Sequence, residues 1–175
     1  MELIGEYFAD ISRITVEQYL ATEPPAVFLH HLAAAPMKPT EGSPSETMYR
    51  LAVGDTPPPF PSEEVVKEKA FAVYPIAGEP GQRRFLIGCG LFCDIFINDV
   101  SVSRDHAWIE RRGDSYVISD NNSTSGTWVQ RRMIKPGAEQ LLENADEVVI
   151  GGVDLIFLLP RDFYHFSAKF LGSNG

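Results

Sequence analysis

Cysteine is scarce. Two in 175 residues, Cys89 and Cys93, cannot build a disulfide framework, which points to a reducing compartment. No apolar run approaches the roughly 18 residues that a membrane-spanning helix requires, so no membrane insertion is expected. The opening residues, Met1 to Asp10, carry an early acid and lack the basic flank of a secretion signal, and a cytoplasmic location is expected. Basic residues are also few. Fifteen Lys and Arg stand against 24 Asp and Glu, a formal net charge of −9, and that balance does not suit a general nucleic-acid binder. The motifs of an enzyme are missing as well. Gly88-Cys89-Gly90 has no third glycine and no following helix to make a dinucleotide fingerprint. There is no Gly-x-Ser-x-Gly elbow and no phosphate-cradling loop closed by Lys-Ser/Thr. His30, His31 and His165 have no Cys, His or carboxylate partner at ligand spacing. The chain reads as a non-enzyme, with no catalytic residue, metal or cofactor assigned.

What the sequence does have is a core: 44% of its residues are hydrophobic, eleven of them Phe, enough to fold without staples. Four segments differ in texture. In residues 1–35, Leu3, Ile4, Tyr7, Phe8, Ile11 and Ile14 recur at helical spacing. Thr15 and Gln18 fit a capping box and predict a helix from Val16 to about Thr22. Pro24-Pro25 can open another helix, with Val27, Phe28, His31 and Leu32 on one face. Residues 36–66 hold more than half of the thirteen prolines, including Pro57-Pro58-Pro59, and read as an extended linker with a weak strand signal at Tyr49–Val53.

Over residues 67–160 the period becomes that of strands. Short runs rich in Val, Ile and Phe fall near Ala70–Ile76, Arg84–Ile87, Asp94–Ile97, Ala107–Arg111, Ser115–Ser119, Thr127–Gln130, Gln140–Leu142, Glu147–Ile150 and Val153–Leu158. Turn residues such as Arg112-Gly113-Asp114 and Gly151-Gly152 separate them, and the pattern argues for an antiparallel sandwich. Residues 161–175 place Phe163, Tyr164, Phe166 and Phe170 among polar residues, an aromatic tail expected to pack back on the body.

Five elements then follow in order: Gly88-Cys89, Cys93-Asp94-Ile95, Ser103-Arg104-Asp105-His106-Ala107, Asp120 through Ser123-Thr124-Ser125-Gly126-Thr127, and Asp146-Glu147-Val148-Val149-Ile150-Gly151. Their order and spacing resemble a forkhead-associated (FHA) domain over roughly ninety residues, about half the chain. The resemblance implies a mainly β fold, an eleven-stranded antiparallel β-sandwich of the FHA/SMAD type, here with a short helical N-terminal extension. It also implies a non-enzymatic protein–protein interaction module, an adaptor in Ser/Thr-kinase signalling that reads phosphothreonine through loops at one end. Phosphothreonine brings about −1.5 to −2 charges and three acceptor oxygens, which need rigid donors and a cation.

Carried over by position, Ser103 and Thr124 supply hydroxyls to the phosphate, Arg104 supplies charge, and Ser125 stands where the family holds the peptide with asparagine. Gly88, His106 and Gly126 brace the loops. Cys89 replaces the family's arginine after the first glycine, and a thiol has no charge to offer. Losing one charge-assisted hydrogen bond costs about 1.5–3 kcal/mol, so weakened phosphate binding is expected. Arg83, Arg84, Arg131 and Arg132 are near in sequence, but arginine pairs are usually solvated surface. The alternative is a degenerate FHA domain serving as a phosphate-independent structural or assembly module. The expected partner is a protein, phosphorylated or unmodified, such as a Ser/Thr kinase or its substrate; self-association stays open.

Overall fold

Alternation of apolar and polar side chains creates most of the strands, and the computed structural model describes residues 2, 3, 11, 13–31 and 71–172. One sheet runs β1 (Glu2–Leu3), β3 (Phe71–Pro75), β2 (Val27–His31), β12 (Val153–Leu158), β11 (Glu147–Ile150), β8 (Thr127–Val129) and β9 (Arg132–Met133). The other runs β10 (Glu139–Leu142), β7 (Ser115–Asp120), β6 (Ala107–Arg112), β4 (Arg84–Gly88) and β5 (Ile95–Phe96). β2 to β12 make the eleven strands of the sandwich, and β1 adds a two-residue pairing at the edge.

The inward residues are those the period of two selects: Phe85 and Ile87 on β4, Ala107 and Ile109 on β6, Tyr116 and Ile118 on β7, Val153, Leu155 and Phe157 on β12. Phe157 sits between the rings of Phe28 and Tyr116, with centroids 5.8 and 5.4 Å away. These contacts tie the two sheets together.

β4 and β5 run parallel, a departure from the all-antiparallel expectation. The chain leaves Gly88, makes a tight turn in which Cys93 N–H donates to the Gly90 carbonyl at 3.2 Å, and re-enters in its original direction. That detour delivers residues 97–106 to the same end of the sandwich as Gly88.

The helix expected after Pro24-Pro25 is a strand instead. β2 lies between β3 and β12, with Phe28 opposite Tyr74 and Phe157. Its two faces are both buried: Phe28 points into the sandwich, while Val27 and Leu29 join a second apolar cluster on the outer face. An apolar run buried on both sides has no alternation, so periodicity cannot separate it from a helix. The segment 1–35 thus holds a sheet strand as well as a helix.

That helix, α1 (Val16–Ala21), starts at the Thr15 capping box: Gln18 N–H donates to Thr15 Oγ1 at 3.3 Å, and Thr15 N–H donates to Gln18 Oε1 at 2.8 Å. The aromatic tail forms α2 (Pro160–Gly172), whose Phe163 and Phe166 cover Val27, Leu29, Val73 and Leu158 together with Tyr19 and Ile11. Tyr164 OH donates to the Ile14 carbonyl at 2.9 Å, pinning α2 to the segment before α1. Ile4, Tyr7, Phe8, Leu32, the Pro-rich stretch and Tyr49–Val53 lie outside the described residues.

Candidate functional site

Four connections meet at one end of the sandwich: residues 89–94, 97–106, 121–126, and the Gly151-Gly152 turn. Backbone hydrogen bonds join them. Cys89 N–H donates to the Ser103 carbonyl at 3.1 Å and Gly90 N–H to the Arg104 carbonyl at 3.0 Å. Gly151 N–H donates to the Gly126 carbonyl at 3.1 Å, and Gly152 N–H to Ser101 Oγ at 2.7 Å. The loop that carries Ser103 is therefore held from two sides.

Gly88 permits this closeness. A Cβ added there would come within 2.1 Å of the Arg104 carbonyl oxygen, a contact no side chain tolerates. Gly126 answers a different need, since its φ of +84° lies in the left-handed region.

His106 is fully buried beneath the rim. Its Nδ1 accepts the Ser103 N–H at 2.9 Å, which leaves Nε2–H to donate to the Gly126 carbonyl at 2.9 Å. One neutral imidazole thus spaces the two loops. Burial pushes its pKa below the ordinary histidine value, against the opposing pull of the Gly126 carbonyl and Asp120. Asp120 organises the second loop. Its carboxylate accepts the Ser123 hydroxyl at 2.6 Å, the Ser123 N–H at 3.1 Å and the Thr127 hydroxyl at 2.7 Å. Ser123 Oγ in turn accepts the Gly126 N–H at 2.9 Å. The Asp-x-x-Ser spacing carries the signal for this loop brace, since a carboxylate can accept from the backbone N–H of the residue three positions on, as an N-cap side chain does.

Above these supports, Ser103 and Thr124 come together. Ser103 Oγ accepts the Thr124 N–H at 3.0 Å and lies 3.4 Å from Thr124 Oγ1. Thr124 is exposed, Ser103 half-buried, and Arg104 exposed with no ion pair to a described residue. Ser125 sits half-buried between Thr124 and Gly126.

The rim is poor in cations. Cys89 turns its thiol inward, donating to the Val102 carbonyl at 3.0 Å while packing against the core. Cys93 Sγ donates to the Arg104 carbonyl at 3.0 Å, and burial raises its pKa, so it stays a neutral thiol. The sequence-near arginines do not compensate. Arg84 lies at the far end of β4 from Gly88, its guanidinium 4.4 Å over the Trp108 ring. Arg131 and Arg132 follow β8 at the end opposite Thr127. Asp99 and Asp105 add carboxylates to the loop that carries Arg104. Among the described residues no grouping of His, Cys, Asp or Glu could hold a metal ion, and no helix is long and apolar enough to cross a membrane.

The two sheets and the loops gathered at one end make a β-sandwich with a braced polar rim, and part of this sandwich resembles known proteins. The family model of the FHA domain matches residues 85–151, so this part of the chain is similar to that family. An oxoglutarate dehydrogenase inhibitor of Corynebacterium jeikeium is 46% identical over 65 residues, 37% of this chain and 43% of the relative. The glycogen accumulation regulator GarA of Mycolicibacterium smegmatis is 43% identical over 65 residues, 37% of this chain and 39% of the relative. The chain spans less than half the length of these curated relatives. Among solved structures, the FhaA FHA domain complexed with the intracellular domain of Rv3910 is 27% identical with a TM-score of 0.42, covering 49% of this chain and 87% of that one. Mycobacterium tuberculosis EmbR in complex with a low affinity phosphopeptide is 20% identical with a TM-score of 0.47, covering 82% of this chain and 28% of that one.

Proposed function

We propose that this chain is a non-catalytic, cytoplasmic adaptor that binds phosphothreonine segments of protein partners, among them a Ser/Thr kinase or its substrates. The observation that carries this reading is the meeting of the Ser103 and Thr124 hydroxyls 3.4 Å apart on a rim braced by His106. Two rotatable hydroxyls and a backbone framework suit a group with three acceptor oxygens, and Arg104 adds a guanidinium that forks around phosphate. Ser125 contributes to holding the peptide backbone. The names of the local relatives, an inhibitor and a regulator, fit a protein that acts by binding.

The inward thiol of Cys89 makes the site weaker than a phosphate cage with two cations. Removing one charge-assisted hydrogen bond lowers affinity about ten- to a hundredfold. Calorimetry on the full chain with matched phosphothreonine and threonine peptides tests the reading: binding of the phosphorylated form alone supports it, and equal binding overturns it.

The Cys89 geometry also favours one other reading, a phosphate-independent assembly module. In that case partner capture survives Ser103→Ala. Loss of capture in that variant speaks for the adaptor.

A further inference from the structure

Three large apolar side chains stand almost fully in water: Leu91 is 91% exposed, Phe92 95% and Val100 106%. All three stand in the two loops that carry Cys89, Ser103 and Arg104. Leu91 and Phe92 occupy the two corners of the turn closed by Cys93 N–H on the Gly90 carbonyl. Both shoulders of that turn are fastened to one atom. The Arg104 carbonyl oxygen accepts Gly90 N–H and the Cys93 thiol, each at 3.0 Å. The apolar tip therefore projects from the same backbone that presents Arg104, and it cannot swing away from the rim without breaking those bonds.

We propose that Leu91 and Phe92 form an apolar contact for a side chain flanking the phosphothreonine of the partner, and so select which phosphorylated segments this chain binds. This deepens the adaptor reading and rests on it. The occupant follows from continuity with the phosphate rim. Arg104 is the next residue after Ser103, and Leu91 the next after Gly90, so the tip lies within about three residues of extended chain from the Ser103 hydroxyl. A peptide seated on Ser103 and Thr124 has side chains that reach this tip. Electrostatics points the same way. With Cys89 turned inward and Asp99 and Asp105 nearby, phosphate attraction alone is weak, and an adjoining apolar contact supplies affinity that does not depend on charge.

The test uses the full chain and phosphothreonine peptides in which one leucine is moved through the positions flanking the phosphothreonine of a serine-rich parent. Wild-type chain should gain about tenfold in affinity at one position. Leu91→Ser with Phe92→Ser should erase that gain while leaving affinity for the parent within about twofold, and the unfolding midpoint should not move. Ser103→Ala should weaken binding of every phosphorylated peptide. If the parent binds and no position shows a leucine preference, or if the preference survives the double substitution, the proposal is overturned while the adaptor reading stands. If no phosphothreonine peptide binds, the adaptor reading fails and takes this inference with it. If wild-type chain self-associates and the double variant is monomeric, the pair is a contact between copies, and the proposal is likewise rejected.

Discussion

Ser103 Oγ accepts the backbone N–H of Thr124 across 3.0 Å, joining two loops whose residues stand 21 apart in the chain. The bond matters because it fixes the distance between the two hydroxyls. Ser103→Ala removes the hydroxyl proposed to donate to phosphate, and with it the acceptor for the Thr124 N–H. Phosphothreonine-peptide affinity is expected to fall at least tenfold, while folding stability falls by about 0.5–1.5 kcal/mol, because water replaces the lost acceptor at an exposed site. Calorimetry and urea unfolding measure the two quantities. Unchanged affinity would remove Ser103 from the site.

Cys89→Arg puts a guanidinium where the family pattern has one. The substitution gives up the thiol's bond to the Val102 carbonyl and its packing against the core, so some stability is lost. It also adds a cation to a rim where Arg104 is the free one among the described loop residues. Affinity for a phosphothreonine peptide is expected to rise about tenfold or more, with no change for the unphosphorylated peptide. The gain should shrink as salt is raised. Equal gains for both peptides would show that the arginine acts without reference to phosphate.

Strands β3 to β8 and β10 to β12 are legible in the sequence as short Val-, Ile- and Phe-rich runs between turn residues, and in β6 and β7 the buried residues alternate with more exposed ones. β2 is not, because Val27, Phe28 and Leu29 are all buried. β9 is hidden for another reason. The turn before it passes through Gln130 and Arg131 at φ of 47° and 65°, positions where a hairpin signal normally shows as Asn or Gly. The loop motif draws attention to Ser103 and Thr124. Their approach, the inward turn of Cys89 and the remoteness of Arg84 depend on strand direction and loop backbone, which no local pattern encodes.

His106 predicts an acid-sensitive fold. Its folded pKa is lowered by burial, so the unfolded chain takes up a proton at a higher pH than the folded one does. Stability from this residue is present above the unfolded value of about 6.5 and is lost as pH falls from there towards the folded pKa. Urea unfolding from neutral to mildly acidic pH should show a decline that is absent in His106→Asn. That variant is itself destabilised by about 2–4 kcal/mol, since the Ser103 N–H and Gly126 carbonyl lose their partner. Stability is the sound readout, because the phosphate of a phosphothreonine also titrates near pH 6. A wild-type profile parallel to that of the variant would dismiss His106 as the cause.

Asp154 acts with the opposite sign. It stands on β12, half-buried, and its carboxyl is pushed up to about 6, first by burial and then by the neighbouring Glu147, against the pull of His30. His30 Nδ1–H spends its hydrogen bond on the Asp154 backbone carbonyl, at 2.8 Å, rather than on the carboxylate. The folded value exceeds the ordinary 3.8, so the folded state holds the proton more tightly. Its contribution is fully present below pH 3.8 and is lost as pH rises through about 6. Above that, the folded chain carries a poorly solvated carboxylate at a cost on the order of 1–3 kcal/mol. Asp154→Asn keeps the shape and removes the charge. It should raise stability by that amount at pH 8 and change it little near pH 4, and urea unfolding at both values decides. Equal stabilisation at both pH values would trace the effect to packing and not to the charge.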